Sequence, residues 1–273
     1  MTTPLNTPPD LTDRKALVRN RVRASDEAMF LQHLAMDEVK DRLEMVNRTF
    51  TKPAIITGFP KIWAEILPNA HLVPDDEVLD LTPGAHDLVI HAMALHWAND
   101  PVGSLIQSAR ALMPDGFFLS VAFGGETLAG LRAALSTAET SVTGGLSPRV
   151  LPMAEIRDMG ALLQRAGLAL PVADSTSLQV SYADLFALMR DLRAMGEGNA
   201  MAERLRRPTR REVFDRAVEI YARDNPGPDG RVLARFELIF LSGWAPHESQ
   251  QKPLRPGSAQ VSLAEVLETK KPH

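Results

Sequence analysis

Few residues of this 273-residue chain combine a reactive side chain with a spacing suited to chemistry. Two of the three histidines in the stretch HDLVIHAMALHW, His91 and His96, are candidates. Either has the intrinsic pKa of an acid or base that works near neutral pH. They lie five residues apart rather than at the i, i+4 spacing of a helix-borne metal pair, so no metal site is expected. The chain has no cysteine, which removes thiolate ligands, a thiol nucleophile and disulfides. No Ser/His/Asp arrangement is evident either. The run DLVIH reads as a buried strand. That places His91, Ala92, Leu95, His96 and Trp97 at its carboxyl end, where open α/β sheets bind ligands. The competing reading of His91 is a packed or capping histidine, and that of Trp97 a wall of the core.

The elements that must hold these residues can be read on both sides. Asn99, Asp100 and Pro101 form a helix start, a side-chain cap followed by proline at the first helical position. Val102, Leu105, Ile106, Ala109 and Leu112 then recur at helical spacing. Pro114, Asp115 and Gly116 predict a turn, and FFLSVAF a strand covered on both faces. This is one right-handed βαβ unit. Upstream, five basic residues from Arg14 to Arg23 predict a solvated basic helix, Ser25 a helix cap, and Met36, Val39, Leu43 and Val46 a helical packing stripe. KPAIITGFPKIWAEIL predicts a strand, a turn at Gly58 to Pro60 and a helix. Residues 68–86 predict a loop with one short strand at His71 to Val73. Downstream follow helices on Leu128–Ala138 and Ile156–Ala166, strand structure over Leu168–Tyr182 and a last strand over Arg231–Trp244. Between these strands, Ser181 with Asp184 and Thr209 with Glu212 resemble capping boxes for two further helices.

The expected fold is therefore α/β: a mostly parallel sheet with helices on both faces and a helical insertion before the last strand. A hydrophobic content of 45% allows one enlarged domain rather than two. Residues 1–24 are expected to be a disordered or basic arm and 25–245 the domain, with the insertion at 182–224. Residues 246–273, polar and proline-rich, are expected to extend over the surface. A net charge of -4 gives no field that would attract nucleic acid. No apolar run approaches bilayer length, and the polar start MTTPLNTPPD lacks a secretory signal, so an intracellular protein is expected.

LHWANDP, LMPDGFFLSVAFGGETLAGLR, GGLSPRV, RDMGALLQRAGLALPVAD, LMRDLRAMGEGN and GWAPHESQQKPLRPGSAQVSL together resemble one family. It is the complex I assembly factor branch, also BioC-like, of the class I S-adenosylmethionine (SAM) methyltransferases. The wording is similar to that of alphaproteobacterial members, and the matching stretches fall within about residues 86–265. The resemblance implies a Rossmann-like methyltransferase fold, with HDLVIHAMALHW and MPDGFFLSVAF as its fourth and fifth strands. It also implies SAM as cofactor and a complex I subunit or assembly intermediate as protein partner. Its location would be the bacterial cytoplasm, peripheral to the inner membrane.

The cofactor motif departs from the family. IITGFPK stands where a loop of the DxGxGxG type belongs, with Ile55 in place of the acid and Thr57, Phe59 and Lys61 in place of small residues. Phe59 and Pro60 add bulk and remove a donor amide. Residues 68–86 are too few for the family's second and third strands with their helices, and an acid ending strand two is not apparent. By resemblance the cofactor residues are Thr57, Gly58, Asp75, Asp76, His91, Ala92, Leu95 and Trp97. For Asp75 and Asp76 the competing reading is a solvated loop. Arg149, Asn199 and His247 are the residues expected to face a partner. Two functions stand side by side: SAM-dependent transfer or hydroxylation on a protein substrate, and an inactive methyltransferase-fold assembly protein that has lost SAM.

Overall fold

The computed structural model describes residues 10–250. Residues 1–9 and 251–273, which hold much of the expected arm and surface extension, lie outside the described residues. Six strands form one sheet: β1 (Pro53–Thr57), β2 (His71–Val73), β3 (His86–Ala92), β4 (Leu112–Phe123), β5 (Ala169–Tyr182) and β6 (Val232–Trp244). Their order is β2-β1-β3-β4-β6-β5. The first four are parallel, and β6 runs antiparallel to both of its neighbours. Every residue of β1 and β3 is buried, which accounts for their apolar centres AII and LVI.

Alternate residues of the central strands feed two cores. Ile55, Ile90, Val121 and Phe236 join the core on one face, packed with α2 (Phe30–Val46), α5 (Ala129–Thr143), α7 (Leu185–Ala194) and α8 (Arg211–Asp224). Ile56, Val89, Phe118 and Ile239 join the other, packed with α4 (Pro101–Ala111) and α6 (Ile156–Arg165). This is the Rossmann-like architecture that the alternating pattern predicted, with α7 and α8 inserted before the last strand.

Several local expectations are corrected. Pro114–Gly116 is not a turn between elements but an irregularity inside β4, where Asp115 takes φ 63° and the pairing with β3 slips between His86 and Leu88. Neither capping box forms. Asp184 alone caps α7, accepting from Ala187 N at 2.7 Å, while Ser181 accepts from Arg231 Nε and Thr209 from Arg149. Ser25 makes no cap hydrogen bond. The basic segment is a helix, α1 (Arg14–Val22), but it is not simply solvated. Leu17 and Ala16 are buried, and Asp13 caps it by accepting from Ala16 N at 3.0 Å.

The largest correction concerns the edge of the sheet. β2 pairs directly with β1, so it occupies the strand-two position, and among the described residues no strand pairs with its outer side. Asp75, two residues past Val73, therefore stands beyond the tip of strand two, where the sequence showed no acid.

Candidate functional site

The carboxyl ends of β1, β2, β3 and β4 share one edge, and α1 lies across it. The chain leaves β3 through Met93, at φ 48°, whose N–H donates to Val121 O at 2.8 Å. A single turn of 3-10 helix, Leu95–Trp97, follows. It turns His96 inward, 1% exposed, with its ring 4.8 Å from that of Phe123.

Glu197 meets His96 from the opposite side of the edge. It is delivered by the end of α7, a Schellman motif. Gly196 takes φ 79°, Gly196 N donates to Arg193 O and Glu197 N donates to Leu192 O at 2.9 Å. The Glu197 side chain is 7% exposed and accepts from Trp97 Nε1 at 2.8 Å. His96 Nε2 lies 3.5 Å from the same oxygen, Oε2, an ion-pair distance outside hydrogen-bond alignment, and Oε1 has no partner. Burial raises the Glu197 pKa. His96, the Arg21 guanidinium and the Trp97 N–H together lower it by more, so the carboxylate is ionised.

His91 lies in register between Ile56 of β1 and Ser120 of β4. Burial pushes it down to about 4; Asp75 pulls it up with the next largest effect, and His96 and Arg21 push it down further. It is a neutral imidazole at pH 7, with Nδ1 unpartnered. Ala92 and Leu95 are buried beside it, apolar in character.

The cofactor residues by resemblance are brought together at the tips of β1 and β2, but around a different occupant. Arg21, in the last turn of α1, lays its guanidinium on the open face of Gly58, so that a Cβ there would overlap it. Arg21 Nη1 donates to Asp75 Oδ1 at 2.6 Å, with both side chains 7% exposed. Arg14 adds bonds to Asp75 Oδ2 at 3.3 Å and to its backbone carbonyl at 2.6 Å. Burial raises the Asp75 pKa, but Arg21 and then Arg14 outweigh it and hold the carboxylate below its ordinary range. Thr57 Oγ1 is occupied by Phe59 N at 3.1 Å. The solvated-loop reading is thus corrected for Asp75, whereas Asp76 is 65% exposed and pairs weakly with Arg14.

These residues do not fit SAM. In the family a glycine lets the backbone approach the cofactor and an acid takes its ribose hydroxyls. Here the glycine face carries a guanidinium and the acid accepts two arginines. A groove of about 360 Å³ remains outside this pair, but Arg14, Arg21 and Asp75 line it.

A second space opens on the other half of the edge. A cavity of about 260 Å³ lies under α5, α7 and α8, walled by Leu128, Leu131, Leu135, Leu192, Phe214 and Phe236. Trp97 and Glu197 also line it. Such a space, apolar with few polar groups, has the character of a ligand site. Arg149 and Asn199 reach the cavity but are committed. Arg149 donates to Glu139 at 2.9 and 2.7 Å and to Thr209 at 2.9 Å, and Asn199 donates to Pro148 O at 2.9 Å. His247 lies elsewhere, beside Ser249, beyond the end of β6 that pairs with the start of β4.

Arg21 and Glu197 escaped sequence reasoning. Arg21 read as one of five surface cations. Glu197 sat in MGEGN, where Gly196 did signal a helix cap but nothing showed what the following side chain would meet.

No protein-family model matches the sequence. The zebrafish (Danio rerio) protein "Arginine-hydroxylase NDUFAF5, mitochondrial" is 35% identical over 82% of this chain and 69% of its own length. The chain belongs to the NDUFAF5 arginine-hydroxylase family. Within it, the human (Homo sapiens) protein of the same name is 38% identical over 73% of this chain, which spans 58% of the human protein's length. A malonyl-[acyl-carrier protein] O-methyltransferase from Laribacter hongkongensis is 33% identical over 67% of this chain and 59% of its own. The two NDUFAF5 proteins agree with the complex I assembly factor branch that the motifs resemble, and the O-methyltransferase with its methyltransferase-like, BioC-like character. A putative methyltransferase from Bacillus halodurans superposes with a TM-score of 0.49 at 15% identity, covering 76% of this chain and 99% of that one. Among the described residues no helix is long and apolar enough to cross a membrane.

Proposed function

We propose that this chain is a complex I assembly protein of the NDUFAF5 family that holds a segment of a partner protein in the cavity beneath α7 and α8 and works without SAM. It would do so in the bacterial cytoplasm, against a subunit or intermediate at the inner membrane. One observation carries the loss of SAM: the Arg21 guanidinium covers Gly58 and takes up Asp75. The cofactor would have to displace a buried ion pair before it could reach the backbone of the β1 loop. Breaking such a pair leaves an uncompensated charge and costs several kcal/mol.

The ionised Glu197 lines an otherwise mostly apolar cavity, and its buried Oε1 has no partner, which favours a cationic side chain as the group received there. The names of the eukaryotic relatives specify arginine, whose planar fork matches a carboxylate.

Calorimetric and thermal-shift titration with SAM and S-adenosylhomocysteine tests the first part. The expected result is no heat and no rise in melting temperature at millimolar ligand, because any ligand of the native state must stabilise it by mass action. Saturable binding of either would return the chain to the SAM-dependent reading. For the partner segment, affinity capture with the full chain is expected to enrich complex I subunits, and Glu197→Gln to lose them.

A further inference from the structure

Beside the cavity mouth lies a surface hollow of about 410 Å³, lined by Asn20, Arg23, Arg190, Arg193, Gly198 and Asn199. Its cations come from two distant parts of the chain. Arg23 is the C-cap of α1, and Arg190 and Arg193 stand three residues apart on one side of α7. No acidic side chain lines the hollow, and none of the three arginines makes an ion pair among the described residues. The helix dipole gives a structural reason for Arg193 in the last turn of α7. It gives the same reason for Arg23 at the C-cap of α1, but none for Arg190, a turn further into α7. Three like charges held together in a chain of net charge -4 repel one another unless something anionic is shared between them.

The hollow and the cavity adjoin. Arg193, Gly198 and Asn199 line both, and the backbone that presents Glu197 inward forms the wall between them. A chain segment that enters the cavity from this side lays its neighbouring residues over the arginines.

We infer that Arg23, Arg190 and Arg193 form an anion-reading rim that selects a partner segment with acidic residues next to the side chain entering the cavity. The inference rests on the partner-segment reading above and adds the sequence chemistry of that segment. The rim sets encounter rate and salt dependence, and the cavity holds the anchor.

Fluorescence anisotropy of the full chain with short fluorescein-labelled peptides tests it. The first peptide carries a central arginine flanked by glutamates. In the second the glutamates are glutamines, and in the third the arginine is glutamine. The glutamate peptide is expected to bind, to weaken steeply with salt, and to weaken at least about tenfold in Arg190→Glu/Arg193→Glu. Both residues are exposed, and circular dichroism should show that the variant keeps its fold. Equal binding of the glutamate and glutamine peptides overturns the rim. So does unchanged affinity in the double variant, absence of binding by every peptide at millimolar concentration, or tighter binding of a single-stranded oligonucleotide than of the glutamate peptide. The cavity fails separately: binding that needs the glutamates but ignores the arginine-to-glutamine change keeps the rim and removes the Glu197 anchor.

Discussion

Two halves of one sheet edge have diverged in opposite ways. Over β1 and β2 the space above the backbone is filled by a side chain from α1. Over β4 and β6 it stays open beneath α7 and α8. Both halves contain a buried ionised carboxylate, Asp75 in one and Glu197 in the other. Asp75 is satisfied by two arginines through both oxygens. Glu197 lines an apolar cavity and keeps one oxygen buried without a partner. One half of the edge thus supplies its own cations to a buried carboxylate, and the other leaves a buried carboxylate incomplete.

Arg21→Ala breaks this comparison most directly. It strips Asp75 of its closest partner and leaves Arg14 alone, so a loss of about 3 kcal/mol is expected in chemical denaturation. Thermal shift on the same variant sharpens the comparison. A new response to SAM would mean that the arginine alone separates the two halves. No response would assign part of the loss to Phe59 and Pro60.

Gly196→Ala addresses the open half. The residue needs φ 79°, and a Cβ there would meet Arg21 Cα and Phe59 Cζ at 3.2 Å each. A loss of about 1–2 kcal/mol is expected, together with altered indole fluorescence as Glu197 moves off Trp97.

Acid should weaken both halves, beginning with the filled one. His91 titrates at about 4 in the fold against an ordinary 6.5, so the unfolded chain takes up that proton first and stability falls as pH drops through this window. The arginine-paired carboxylates follow. Glu139, held down to about 2 chiefly by Arg149, gives up its contribution between its ordinary 4.5 and that value, and Asp75 shifts in the same direction. Melting temperature measured from pH 7 down should decline from about 6.5, and His91→Gln should flatten only the first part of the decline. Asp76→Asn sets the lower bound of the series. This exposed charge at 3.5 Å from Arg14 should change stability by less than about 0.5 kcal/mol.

The periodicities that gave β1, β3, β4, β6 and the paired helices were legible because each buries a regular face, and such a face must repeat with the element. The capping boxes were not. Ser181 and Thr209 had the right spacing, but arginines from other elements compete for their hydroxyls. Asp75 was misread because a residue's depth depends on what lies over it, and α1 comes from more than fifty residues earlier in the chain.

The sequence by itself determined the α/β architecture, the family and the damage to the cofactor loop. These are carried by local pattern: strand and helix period, turn residues, and the wording of IITGFPK and MGEGN. Only the tertiary structure decided that the damaged loop is covered by Arg21, that Asp75 stands in the strand-two position, and that Glu197 lines a cavity. Each of these is a contact between residues far apart in sequence. Burial and charge pairing arise only when the chain closes on itself, and no local spacing encodes which distant cation a buried carboxylate will find.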